Sequence, residues 1–360
     1  MDIKLSKDMM TRAAVYEPGG QVSVREMPVP APGPGELLVR VHACGLCASE
    51  VLAWYADSKA PFVLGHEPVT VVVAVGDGAR PSQGAPFKAG ERLFVHHHAP
   101  CMACRCCKRG DFVQCATWRA TRLNPGALSQ LAIVPAESVR HDVLRVPEHL
   151  KDEIATLIEP LATVCKSVRR SGLRAGDRVL VIGLGAMGMM HVLLARQGGA
   201  GVVLGADRVP SRMALAPRFG ADAAIDAREP LREQVRAATD GAGAEIVFVT
   251  PGSKAALDAA ASCVAPGGSI VIFTPLQPGD TWPLDVGDLF FKDVSVITSY
   301  SAGPDDTRAA LALLEQGLPV EPLFTHRFGL DEAAQAYAMV KNPDVALKVV
   351  VYPQESRLHE

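Results

Sequence analysis

No run of this chain is apolar for long enough to cross a bilayer, and its leading segment, MDIKLSKDMMTRAAVY, lacks the apolar core of a secretory signal. Those two absences give the expectation of a cytoplasmic protein with no membrane partner. A basic excess is missing too: 36 Lys and Arg stand against 39 Asp and Glu, for a net charge of −3. Without a positive field, nucleic acid is excluded as a partner. There is no internal repeat and no low-complexity tract. What remains is 360 residues of ordinary globular composition, enough for two domains. The nine cysteines are clustered, with five between Cys101 and Cys115 and two at Cys44 and Cys47. In a reducing compartment such clustering argues for metal rather than disulfides.

The stretch that organises the chain is RVLVIGLGAMGMMHVL, Arg178–Leu193. Val179 to Ile182 read as a short buried strand, and Gly183-Leu-Gly185-Ala-Met187-Gly188 as a tight turn. The run Met189–Arg196 then reads as a helix. Strand, turn and helix in that order are the context in which G-x-G-x-x-G signifies dinucleotide binding. Gly183 permits the turn, Gly185 lets backbone approach a pyrophosphate, Met187 lies where the helix opens, and Gly188 allows close helix–strand packing. The helix N-terminus offers N–H groups to phosphate. A second strand, Val202–Ala206, ends at Asp207, 19 residues after Gly188. A carboxylate there accepts the adenine-ribose hydroxyls and repels a 2′-phosphate, favouring NAD over NADP. Arg208 and Arg212 weigh the other way, since either could pair with that phosphate.

Residues 1–45 carry strand-like patterns at Gln21–Glu26 and Glu36–Ala43, separated by a Pro/Gly connector from Pro28 to Gly35. Pro61–Val75 and Glu91–His96 add strands, so the first 150 residues read mostly as β. Asp152–Ser171 reads as helix. Strands near Val179, Val202, Ala223, Ile246, Ser269 and Ser295 then alternate with helices at Pro210–Phe219, Pro230–Ala238 and Ser253–Cys263. That alternation predicts a parallel sheet. Asp305–Gln316 and Asp331–Lys341 read as helices and Ala346–Tyr352 as a closing strand.

Cys101-x2-Cys104-x2-Cys107-x7-Cys115 supplies four thiols in a loop-like stretch, as a closed structural zinc site requires. Cys106 breaks the spacing and is left out. An iron–sulfur cluster is the less favoured alternative. Other candidates are scattered: Cys47 in CGLCASE, His66 and Glu67 in LGHEP, and Glu159 in LIEPL. His96-His97-His98 reads as a strand segment whose side chains alternate between faces, so the three are assigned a purely structural role or pocket lining near the zinc lobe rather than one metal site. Trp54 and Tyr55 either wall a pocket or sit in a core. Cys165 and Cys263 read as buried packing residues.

Taken together these motifs make the chain resemble the zinc-dependent medium-chain dehydrogenase/reductase family, and within it the sorbitol (polyol) and threonine dehydrogenase branch. The resemblance covers nearly the whole chain. It implies an α/β protein with a GroES-like β-rich catalytic domain over residues 1–158 and 302–360, and a structural-zinc lobe at about 97–118. A Rossmann NAD-binding domain with a doubly wound parallel sheet would occupy 159–301. It further implies two zinc ions per chain. The catalytic one falls to Cys47, His66 and Glu159, with Glu67 a neighbouring or exchangeable ligand; Cys101, Cys104, Cys107 and Cys115 take the structural one. Ser49 is placed to take the alcohol proton, and Lys348 matches a basic residue approaching the cofactor phosphates. The implied activity is hydride transfer between a secondary alcohol (a polyol, cyclitol or hydroxy amino acid) and NAD in a homodimer or homotetramer.

Two departures stand out. Glu50 replaces the family's aspartate, one methylene longer, and Leu52 stands where many relatives carry a relay histidine. The alternatives are an L-threonine 3-dehydrogenase or simple alcohol dehydrogenase, a zinc-independent quinone or enoyl reductase, and a non-catalytic NAD- and zinc-binding module.

Overall fold

In the computed structural model, which describes residues 9–355, the six apolar runs between Arg178 and Thr298 pair into one all-parallel sheet. The first eight residues of the leading segment lie outside the described residues. The strand order is Ala223–Asp226, Val202–Asp207, Arg178–Ile182, Ala244–Val249, Val264–Ile272, Ser295–Thr298. Val179–Ile182 are buried throughout, as expected of a strand covered on both faces. Chain order reverses beside Arg178–Ile182, so its carboxyl end is the sheet's switch point, and the glycine turn sits there. The crossover helices form where their start signals lie. Ser253 accepts the Ala256 amide to cap Lys254–Cys263, and Pro210 opens Pro210–Leu215.

This sheet belongs to one of two compact units, Thr163–Ser301; the other runs up to Ala162 and resumes at Ala302. The second unit is built on a mainly antiparallel sheet ordered Phe324–Gly329, Lys348–Tyr352, Leu37–Leu46, Glu67–Val75, Arg92–Val95, Val143–Arg145, with Leu131–Val134 also pairing Leu37–Leu46. Lys348–Tyr352 therefore lies inside the sheet and not at its edge. A smaller sheet joins Gln21–Val29, Met9–Glu17 and Phe62–Val63.

Three expectations change. Asp152–Ser171 is two helices, Asp152–Ala155 and Ile158–Ser171, because Pro160 has no N–H and is accommodated only in a first turn. The Glu91–His96 strand stops at Val95, which frees the histidines from strand alternation. Cys165 is half-buried, whereas Cys263 is buried in the apolar core under Lys254–Cys263. No described helix is long and apolar enough to cross a membrane.

Candidate active site and metal centres

Strand register assembles the first cluster. Gly45 pairs with Glu67 on one side and with Val350 on the other. The strand's exit at Leu46–Cys47, the start of the Glu67–Val75 strand and Lys348 thus come to one end of the sheet. A Cβ at Gly45 would lie 2.0 Å from Glu67 Oε2 and 2.8 Å from Lys348 Cε, so any larger residue there would displace that pair.

Cys47 Sγ, a His66 ring nitrogen and a Glu67 oxygen lie within 4.8 Å of one another. His66 is oriented by Glu50, whose Oε1 lies 3.1 Å from Nδ1 and also accepts the Gly65 amide at 2.7 Å. With Nδ1 so engaged, Nε2 is the nitrogen left to a metal, which would take the place of its proton. Burial pulls the His66 pKa down, but the Glu50 carboxylate and the Cys47 sulfur outweigh it and hold the imidazole well above its ordinary value. Burial likewise opposes ionisation of Glu50, yet His66 and the Gly65 and Cys47 amides bring its carboxyl below the usual range. Glu50, one methylene longer than the aspartate expected at this position, reaches the imidazole. Ser49 Oγ donates to Cys47 Sγ at 3.2 Å.

Glu67 is wholly buried; Oε2 pairs with the Lys348 ammonium, and Oε1 has no hydrogen-bond partner among the described residues. Lys348 also donates to the Leu46 carbonyl at 3.2 Å and is 4% exposed. The lysine expected at the cofactor phosphates therefore has its charge engaged by Glu67. Burial disfavours the ammonium, but Glu67 and Cys47 raise its pKa, so it stays charged. Glu159, in the first turn of Ile158–Ser171, groups within 4.8 Å of His96 and His97 and falls outside the Cys47 group.

The four-thiol cluster is closed. Sγ separations are 3.5 Å for Cys104–Cys107, 3.6 Å for Cys115–Cys101 and 4.0 Å for Cys101–Cys107. A zinc ion at about 2.3 Å from four sulfurs sets them about 3.8 Å apart, so the donors fit that ion with almost no movement. Amides of Cys104 and Cys101 donate to Cys101 Sγ and Cys115 Sγ at 3.4 Å. Burial disfavours the Cys115 thiolate, yet backbone amides of Cys101 and Trp118 bring its pKa to about 6. Phe112, Val113 and Trp118 pack the lobe, and Cys106 stays outside the group.

In the parallel-sheet unit, a Cβ at Gly183 would strike Thr250 Oγ1 at 2.4 Å, and one at Gly188 would overlap the Gly183 carbonyl. At Gly185 a Cβ would meet nothing nearer than Arg212 Nη1 at 3.6 Å, so that face of the turn is open to a ligand. Met187 lies half-buried in the first turn of Ala186–Gln197. Asp207 accepts the Leu184 amide at 2.6 Å and those of Arg208 and Val209 at 2.7 and 2.9 Å. Arg212 Nη1 stands 3.8 Å from its carboxylate, and Arg208 is exposed. Trp54 and Tyr55 are half-buried with ring centroids 5.6 Å apart, and neither is a core residue.

An alcohol dehydrogenase GroES-like domain model matches residues 33–148, and a zinc-binding dehydrogenase model matches 186–316. The chain belongs to the family of zinc-binding alcohol dehydrogenases, the zinc-dependent medium-chain dehydrogenases. It is 28% identical to sorbitol dehydrogenase of Bacillus subtilis over 95% of this chain and 97% of that one. With L-threonine 3-dehydrogenase of Pyrococcus furiosus the identity is 30%, covering 88% and 91%. Among solved structures, a zinc-binding dehydrogenase from Sinorhizobium meliloti bound to NADP superimposes with a TM-score of 0.85 at 27% identity, covering 96% of this chain and all of that one. An alcohol dehydrogenase from Escherichia coli complexed with NADH gives 0.85 at 26% identity, covering 96% and 99%.

Proposed function

We propose that this chain transfers hydride between a secondary alcohol and NAD, with a polyol, cyclitol or hydroxy amino acid as substrate. The observation that carries the reading is the thiol–imidazole–carboxyl group of Cys47, His66 and Glu67, the first two half-buried and the third buried, with Glu50 on His66 Nδ1 leaving Nε2 as the nitrogen that faces an ion. Those donors suit zinc, with Glu159 available as a further carboxylate, and Cys101, Cys104, Cys107 and Cys115 suit a second, structural zinc. At the Cys47 site a zinc ion supplies Lewis acidity that lowers the pKa of a bound hydroxyl. Ser49, whose hydroxyl rests on Cys47 Sγ, rotates to accept the alcohol proton and release its own. Leu52 cannot carry that proton further. Asp207 fixes the turn from Gly183 to Gly188 and offers its carboxylate to ribose hydroxyls, which supports NAD; Arg212 gives the turn its capacity for NADP.

Self-association into a homodimer or homotetramer is part of this reading. Val286, Phe290 and Phe291 are 70%, 76% and 88% exposed beside the outermost strand Ser295–Thr298, an apolar surface of the kind that marks an interface. A cytoplasmic location completes it.

The test is NADH formation, followed by absorbance, over polyols, cyclitols, threonine and simple alcohols. Native protein should turn over one of these classes, and Cys47→Ala and Glu159→Ala should lose turnover while still binding NAD. Unimpaired turnover in Cys47→Ala overturns the reading; coenzyme and zinc binding without turnover of any alcohol marks a non-catalytic module.

A further inference from the structure

Trp54 and Tyr55 lie in the short helix Ala53–Asp57, and Lys59 follows Tyr55 by four residues, the spacing that lets one side chain fold back over another. Lys59 Nζ stands 3.4 Å from the centroid of the Tyr55 ring, a cation–π contact. It makes no ion pair with a described carboxylate. The side chain is exposed, yet its ammonium is partly desolvated against the ring. That loss of water, with the charge of Arg122, lowers its pKa to about 8. Glu50 is the carboxylate that acts on it, and Glu50 is already committed to His66 and the Gly65 amide. Arg122 is fixed in place: Nη1 lies 2.8 Å from His98 Nδ1 and donates to the Arg119 and Thr121 carbonyls at 2.7 and 2.6 Å. A run of rings leads from there to the metal centre, with centroids 3.9 Å apart for His98 and His97 and 4.9 Å for His97 and His66. Burial holds the His97 and His98 imidazoles well below their ordinary pKa, so neither adds charge. Tyr55 joins the two groups. Burial raises the pKa of its phenol, on which the charges of His66, Cys47, Arg122 and Glu50 all act.

We propose that Lys59 and Arg122, at the rim of the Cys47 site, bind an anionic group on the substrate, a carboxylate or a phosphate, so that the alcohol is a hydroxy acid or a phosphorylated polyol. This narrows the alcohol class proposed above and rests on that reading. The charge balance around Tyr55 favours it. The Glu50 carboxylate and the His66 imidazole, its pKa raised, offset one another, and the Cys47 sulfur belongs to the metal position. Arg122 adds to the charge of Lys59 instead of cancelling it. An anion held between them relieves that repulsion and keeps the Lys59 ammonium protonated. The two cations are complementary in kind, the guanidinium a planar fork for two oxygens and the ammonium a point charge. The half-buried rings of Trp54 and Tyr55 suit the carbon chain between the reacting hydroxyl and the anion.

Matched pairs of alcohols test this on the zinc-loaded full chain: sorbitol against sorbitol 6-phosphate, and 2-butanol against 3-hydroxybutyrate. Binding is read by titration calorimetry without coenzyme, and turnover by NADH formation. In one pair the anionic member should bind about tenfold or more tighter than its neutral twin. The pair that shows the margin tells phosphate from carboxylate. Lys59→Met and Arg122→Gln should each shrink the margin, through Kd and KM with kcat little changed and with neutral alcohols unaffected. Lys59→Arg should keep it and Lys59→Glu should erase it; as Lys59 is exposed, these variants leave the fold intact. Equal binding within both pairs, or a margin that survives in both Lys59→Met and Arg122→Gln, overturns the proposal and leaves Lys59 a surface cation–π residue only. NADH formed from neutral alcohols with no such margin sinks this inference and leaves the alcohol reaction standing. A margin in binding with no NADH from any alcohol sinks the reaction and leaves the anion site standing.

Discussion

Glu50 and His66 form a carboxylate–imidazole pair 3.1 Å apart, and the same Glu50 oxygen ties down the Gly65 amide at 2.7 Å. One side chain thus fixes both the ring and the loop that carries it. Removing its charge should loosen the ligand without touching the strands that deliver it. For Glu50→Gln, zinc at the Cys47 position should be held about 10–100-fold more weakly in chelator competition. The four-thiol zinc, whose donors lie elsewhere, should be unchanged.

Lys348 and Glu67 are both buried, at 4% and 0% exposure, so neither has water as a substitute partner. Lys348→Met strands the Glu67 carboxylate and should cost about 3–5 kcal/mol in denaturant unfolding. Combining it with Glu67→Gln should recover much of that loss. Equal destabilisation by the single and double variants would show that the two side chains do not act as a pair.

The cysteine lobe has a small apolar core of its own, with Trp118, Phe112 and Val113 packed against the cysteines. Cys104→Ser should abolish structural zinc binding and lower Tm by about 2–4 °C for each kcal/mol lost. Because a ligating thiol must be deprotonated, zinc retention by the native lobe should fall on acidification. Metal content after gel filtration at stepped pH measures it.

Asp207 serves the backbone as well as a ribose, accepting the amides of Leu184, Arg208 and Val209. Asp207→Ala should raise KM for NAD by more than tenfold and narrow the NAD-to-NADP ratio, with Arg212 left beside the open face of Gly185. Arg212→Ala should move the ratio the other way. Initial rates with both coenzymes read the effect.

Asp152 accepts from Arg92 Nε at 3.0 Å and lies 3.3 Å from His42 Nδ1. Burial would raise its pKa, but the His42 and Arg92 hydrogen bonds and charges carry it below the ordinary carboxylate value. A depressed folded-state pKa means the contribution is complete above the unfolded value of about 3.9 and is lost as pH falls through the folded one. Asp152→Asn should therefore destabilise the protein by about 1 kcal/mol at neutral pH. The deficit should shrink below about pH 4. Thermal melts across that range measure it.

Most of the parallel-sheet unit was legible in the sequence because its signals are local. Val179–Ile182, the glycine turn and Asp207 lie within one βαβ unit, and each strand position from Val179 to Ser295 corresponds to an observed strand. The four-thiol lobe was legible for the same reason, its donors being close in sequence. What could not be read depends on register. Nothing local in His96-His97-His98 reveals that the strand ends at Val95, or that Asp142 will face His96. Lys348 could not be seen as the partner of Glu67 without knowing that Gly45 pairs with both Glu67 and Val350. The break before Ile158 had a local cue in Pro160, which restricts where a helix can start.

The place of Lys348–Tyr352, between Phe324–Gly329 and Leu37–Leu46, reaches into biosynthesis. As the nascent polypeptide emerges, the Leu37–Leu46 strand waits for a neighbour made some three hundred residues later. Glu67 stays without its counter-charge until then. A ribosome stalled before Lys348 would thus display a sheet with an unfilled slot, vulnerable to proteases and to pairing with other chains. The Thr163–Ser301 sheet, whose strands all come from one continuous stretch, can close while translation continues.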